Sequence, residues 1–161
     1  MNGKPFQSQS RSNPQQPQPQ GNKDKYDFPS LWKDEEKTRL NSDVFWKDAE
    51  KLANMFHPSP KSSQLRKFYD EIVHYSSMVR AKPDDSSEWA NVEPLVKMII
   101  AKAAYAEARK NVSKYFSDFI QHYIKKIDSP KDLTAFCSFF EAIVGFHKLC
   151  EEQNKNHSRS N

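Results

Sequence analysis

The side chains in this sequence whose types and spacing fit a chemical task are cations on a helix edge. Lys102, Ala106 and Arg109 recur at i, i+4 and i+7 within Lys97–Lys110, KMIIAKAAYAEARK, a stretch whose alanines favour helix. Two fixed cations therefore line one edge, roughly 10 Å apart at about 1.5 Å of rise per residue. That spacing suits phosphates along a nucleic-acid strand, where cations bind the backbone and leave the bases unread. Lys102 emerges between Ile99 and Ala106, at the border of the apolar face, so it is held rather than free. Lys61, Arg66 and Lys67 open the preceding helix, Lys97 and Lys110 flank the pair, and Lys114 follows. Asp70, Glu71 and Glu107 interrupt the group. The competing reading is a solvated face with intrahelical pairs such as Lys110–Glu107 and Glu71–Lys67.

Other chemistries find less support. The histidines His57, His74, His122, His147 and His157 are scattered over separate elements, unlike a zinc site with clustered Cys and His. His147 lies on an apolar face and reads as a hydrogen-bonded core residue. Arg66 and His74 stand too far apart for the Arg–His pattern of helical ribonucleases. The acid pairs Asp70–Glu71 and Asp84–Asp85 are adjacent on the chain and so diverge or sit in a loop. Gly145 is the one glycine inside the helical region, which removes phosphate-cradling loops. No catalytic residues, no metal and no cofactor are expected.

Holding a row of cations in place requires helices, and the apolar spacing provides about five. The first starts behind the cap candidates Asn41, Ser42 and Asp43, carries Phe45, Ala49, Leu52, Ala53 and Phe56, and stops at Pro58 and Pro60. The second opens at Ser62 or Ser63 with the stripe Leu65, Phe68, Tyr69, Ile72, Ser76 and Val79. The third is expected from Val92 to Lys110, capped by Asn91 after a short turn around Trp89, with Pro94 in its first turn. A fourth follows with little punctuation, carrying Val112, Phe116, Phe119, Ile120, Tyr123 and Ile127. Ser129, Pro130 and Asp132 mark the start of the last as cap, first position and reciprocal acid. Its apolar side is Leu133, Phe136, Cys137, Phe140, Ile143, Val144 and His147. Gly145 in mid-helix suggests that something packs tightly over it. No alternating strand pattern survives, so the fold class is all-α: a compact bundle of about five helices with disordered N- and C-terminal tails.

The chain has 161 residues, with 25 Lys+Arg against 21 Asp+Glu, a formal charge of +4 and a pI near 9.0. This balance permits a polyanion partner without demanding one. Residues 1–30 are rich in Gln, Pro and Ser, with NPQQPQPQ at their middle, and are expected to be a disordered tail. Residues 31–150 are expected to form the helical domain, and residues 151–161 a second disordered polar tail. Cys137 and Cys150, on one helix about 20 Å apart, read as buried apolar residues rather than a disulfide. No run approaches a membrane span and the first residues carry no signal-peptide-like segment, so a soluble cytoplasmic protein with no membrane partner is expected.

Three segments carry a family likeness: Gln64–Ile72 (QLRKFYDEI), Lys102–Arg109 (KAAYAEAR) and Phe139–Lys148 (FFEAIVGFHK). Together, in order and spacing, they resemble the small subunit of type III-A CRISPR effector complexes, the Csm family. The resemblance implies a helical, non-catalytic subunit of an antiviral ribonucleoprotein, present in several copies stacked along it and associated with other effector subunits. It implies contact with target RNA and guide RNA through the duplex backbone, without sequence reading. Carried to matching positions, RNA contacts fall on Gln64, Arg66, Lys67, Lys102 and Arg109, while Phe139, Phe140 and Ile143 look structural. The basic cluster adds Lys97 and Lys110 to the RNA-binding candidates. Ala108 stands where this family often has a glycine, and the Gln/Pro-rich extension is longer than usual. Stacking of copies implies an exposed apolar patch, for which Tyr105 and Phe146 are candidates. The alternative is a helical protein–protein adaptor, docking through its Phe-rich last helix, that does not bind nucleic acid.

Overall fold

The computed structural model describes residues 26–82 and 86–159, so the expectation for the first 25 residues lies outside the described ones. A 3-10 turn, Ser42–Phe45, leads into α1 (Lys47–Phe56), then α2 (Ser62–Ala81), α3 (Ser86–Ala108), α4 (Lys114–Lys125) and α5 (Pro130–Arg159). Among the described residues there is no strand, and one isolated bridge pairs Trp32 with Leu40. The all-α bundle of five helices is therefore observed.

α5 lies along α1 and α2, and α3 packs between α2 and α4. The centre is aromatic. Phe119 of α4 is fully buried, with ring centroids 5.0 Å from Phe56, 5.0 Å from Tyr123, 5.8 Å from Phe140 and 6.0 Å from Phe136. Tilted and edge-on pairs of this kind add to the burial of large apolar area. The core also begins earlier than expected. Phe28 and Leu31 are buried, and Tyr123 Oη donates to the Pro29 carbonyl at 2.6 Å, so the segment before Ser30 is part of the packing.

Local chemistry explains most boundaries. The α5 start forms as its sequence dictates: Asp132 N–H donates to Ser129 Oγ at 3.2 Å and Ser129 Oγ–H donates to Asp132 Oδ2 at 2.8 Å. Lys37 and Trp32 also reach the Asp132 carboxylate, at 2.8 and 3.1 Å, tying the N-terminal segment to this turn. α4 has a cap that spacing alone does not reveal, Ser113, whose Oγ accepts from Phe116 N–H at 3.2 Å. The third helix begins at Ser86 rather than Val92, which puts Pro94 inside it. Trp89, Val92, Val96, Ile99, Ala103 and Ala106 keep one helical apolar face running through the proline, and that burial offsets the missing backbone bond.

Three further expectations change. α5 continues past residue 150 to Arg159, with Glu151 Oε1 accepting from Ser62 N–H at 3.2 Å. Among the described residues nothing lies within 4 Å of where a Cβ on Gly145 would stand, and the glycine is solvent-exposed, so no tight packing by them accounts for it. Over Pro130–His157, α5 is long and apolar enough by composition to cross a membrane, contrary to the expected absence of such a run. Its apolar residues Leu133, Phe136, Phe139, Phe140 and Ile143 are fully buried in the bundle, which is the signature of a core helix. Cys137 and Cys150 are free and half-buried. His147 is buried as expected, its Nδ1 3.1 Å from Ser62 Oγ.

Candidate nucleic-acid interface

α2 and α3 run antiparallel, because Lys82 pairs with Glu88 at one level and Glu71 pairs with Lys102 further along. The same register sets residues 64–67 level with the last turn of α3. α3 buries Val92, Val96, Ile99, Ala103 and Ala106 and turns Leu95, Met98, Lys102, Tyr105 and Arg109 outward. Those outward residues recur every three or four positions, so they form one exposed stripe in which cations alternate with apolar side chains.

Three of the cations are anchored, each differently. Lys102 Nζ donates to Glu71 Oε1, which also accepts from Tyr75 Oη at 2.9 Å. The Glu71 hydrogen bond, against a smaller desolvation effect, holds the Lys102 ammonium above its ordinary value, so it stays charged while remaining about half exposed. Arg66 Nε donates to Asp70 Oδ1 at 2.8 Å and its guanidinium lies over Tyr69, 5.4 Å from the ring centroid, with both charges well exposed. Arg109 Nη1 donates to Tyr105 Oη at 2.9 Å, with the guanidinium 5.6 Å from that ring centroid. Lys67 and Lys110 are exposed and have no ion-pair partner among the described residues, and Gln64 is half-buried in the first turn of α2. Lys110 has φ 60° at the end of α3, where its N–H donates to Glu107 O at 2.8 Å and Asn111 N–H to Ala106 O at 2.9 Å. This pair of bonds is the Schellman termination, and lysine occupies the left-handed position that favours glycine.

Lys97 is engaged elsewhere. Its ammonium donates to the carbonyls of Ile127, Ile124 and Lys125 at 2.6, 3.2 and 3.3 Å, satisfying the C-terminal end of α4. The structure thus brings Lys102 and Arg109 onto one stripe, sets Gln64, Arg66 and Lys67 level with its end, and ties Lys97 to the opposite neighbour. Sequence reasoning missed Glu71 as the partner of Lys102, and Tyr75 as the second donor to Glu71. They lie on another helix, 31 residues from Lys102 for Glu71, and no spacing rule reaches across helices.

Among the described residues no three His, Cys, Asp or Glu side chains gather to hold a metal ion. A cavity of about 540 Å³ opens between the N-terminal segment and the end of α4, beside Trp32, Lys126 and Asp132. Its most buried carboxylate, Asp132, is occupied by Lys37, Trp32 and Ser129.

The model of the Csm2 Type III-A family matches residues 39–153, from the segment before the 3-10 turn to near the end of α5. The chain belongs to the Csm2 family. No curated protein and no solved structure matches it. As a Csm2 member the protein is a structural small subunit of the type III-A CRISPR effector complex and associates with other subunits of that complex. The match spans α2 and α3 whole, so every cation of the row lies inside the Csm2 region.

Proposed function

We propose that this Csm2-family subunit is non-catalytic and lays the α2–α3 cations along the backbone of the guide RNA–target RNA duplex without reading its sequence. Arg66, Lys67, Lys102, Arg109 and Lys110 neutralise phosphates, and Gln64 adds a hydrogen bond at the start of α2. Lys97 serves the same surface indirectly by fixing α4 against α3. The observation that carries this reading is the outward stripe of α3, where Lys102 and Arg109 stay in solvent although each has an intramolecular partner. Exposed pairs contribute only about 0–1 kcal/mol, so phosphate readily replaces the protein partner. Five cations per subunit bind weakly alone. Repeated in stacked copies along the complex, such interactions add through effective concentration. Indifference to bases is what a guide-directed complex needs, since pairing supplies specificity. The subunit meets its neighbours and further copies of itself through apolar residues left outside the core, such as Leu149 at the exposed side of α5.

The test is charge reversal. The Lys102→Glu/Arg109→Glu variant is expected to keep its helical circular dichroism and thermal transition while losing affinity for RNA at low salt. Unchanged affinity would remove the proposal.

A further inference from the structure

Between the two α3 cations stands a large aromatic side chain that backbone binding does not need. Tyr105 is 63% exposed, three residues after Lys102 and four before Arg109, so all three share one edge of the helix. Packing does not require it, because the core side of α3 is made by Ile99, Ala103 and Ala106. It is nevertheless held. Its hydroxyl accepts from Arg109 Nη1 at 2.9 Å, and the guanidinium lies 5.6 Å from the ring centroid. Ala101, Ala104 and Ala108 on the outer side are exposed and small, so no long side chain walls the ring off on those positions. A free tyrosine on a monomer surface would usually be mobile. This one is pre-positioned by a charged donor.

An aromatic platform with a cation on each side along a helix has a natural complement: a nucleotide whose base is unstacked and whose flanking phosphates meet the cations. A continuous A-form duplex does not offer one, because its bases are stacked inside and it presents sugars, phosphates and minor-groove base edges but no open base face. We propose that Tyr105 is a base-stacking platform for unpaired RNA, so that the Lys102–Tyr105–Arg109 stripe favours a single strand over a continuous duplex. The proposal rests on the backbone-binding reading above and deepens it. Lys102 and Arg109 supply the affinity common to both forms of RNA, and Tyr105 supplies the preference between them.

The experiment measures fluorescence anisotropy of the full chain with labelled oligouridylate and with an RNA duplex of equal length, over a range of salt. Wild type, Tyr105→Ala, Tyr105→Phe and Lys102→Glu/Arg109→Glu are compared. Tyr105→Ala is expected to lose about tenfold in single-strand affinity, as for removal of one base–aromatic stack, with duplex affinity and salt slope unchanged. Tyr105→Phe keeps the ring and is expected to stay within about twofold of wild type. Loss of affinity in the same proportion for both RNAs, or a fall in salt slope, would mean that the ring only positions Arg109 and would overturn the platform. Intact RNA affinity in Tyr105→Ala with reduced self-association by sedimentation would assign the ring to contact between copies instead, and would also overturn it. If the double charge reversal abolishes binding while Tyr105→Ala does not, backbone binding stands and the platform alone falls.

Discussion

A phosphate that reaches Lys102 meets an ammonium already paired with a carboxylate. Glu71 accepts from both Lys102 and Tyr75, so in the free subunit it occupies the ammonium that RNA would use. Replacing it in Glu71→Gln removes the competing charge and is expected to raise RNA affinity at low salt by about twofold to fivefold, the range of an exposed ion pair. A decrease would show that Glu71 orients the lysine rather than competing for it. Lys110 poses the opposite trade. Its φ of 60° is a conformation that glycine adopts without strain, so Lys110→Gly is expected to stabilise the fold by about 1 kcal/mol, or about 3 °C in Tm. The same variant loses a cation and is expected to bind RNA more weakly; weaker binding without added stability would show that the position is unstrained. Residue types and their one-dimensional spacing are enough to pick out Lys102 and Arg109 as neighbours on an edge. The pairs are not legible. The expected Lys110–Glu107 and Glu71–Lys67 pairs give way to Lys102–Glu71 and Arg66–Asp70, and Lys97 turns to the end of α4, because partner choice depends on which helices touch.

At the scale of elements, punctuation decides what can be read. The Ser129–Pro130–Asp132 signal gives a Ser129 cap on the Asp132 N–H with proline at the first position, the Asp132 carboxylate accepting in return from Ser129 Oγ–H and the Asp128 N–H, and α5 starts there. Ser113 gives no such signal, because no acid follows at the reciprocal position and Val112 continues the apolar pattern; only the Oγ geometry shows it to be a cap. Pro94 points to the wrong boundary for α3, since proline usually sits in a first turn, whereas here the apolar face from Trp89 to Ala106 carries the helix through it. Gly145, expected under a tight contact, instead faces open space on α5. Gly145→Ala is therefore expected to stabilise the isolated subunit by about 0.5–1 kcal/mol, read from urea midpoints with an unchanged slope. Destabilisation would reveal a constraint at that turn of α5. A stabilised subunit that assembles poorly would instead place a partner's backbone against the glycine.

The described residues are held by rings gathered on Phe119 and by polar ties between distant parts of the chain, two of them centred on Asp132 and His147. Asp132 joins the N-terminal segment to α5. At His147, α5 meets the start of α2 through Ser62. Burial pushes His147 below its ordinary value of 6.5, with His57 adding to the effect and Glu151 opposing it. The unfolded chain therefore takes up this proton at a higher pH than the folded one does. The stabilising contribution is complete above about pH 6.5 and is lost as pH falls below it. Tm is expected to decline from about pH 7.5 to about pH 5.5, and His147→Gln to flatten that decline; equal slopes in both proteins would assign it to other groups. The bundle itself is legible because five apolar faces and an absence of strand patterns leave few alternatives. Which faces remain outside is not, since exposure depends on the order in which the helices pack.

The most direct test of the phosphate-binding row is the slope of log affinity against log salt for a single-stranded RNA, measured for wild type and for Lys102→Ala/Arg109→Ala. Removing two cations that each neutralise one phosphate of a single strand should reduce the slope by about 1.4, with helical content and Tm unchanged. Parallel lines for the two proteins would contradict a row of cations laid along RNA by α2 and α3.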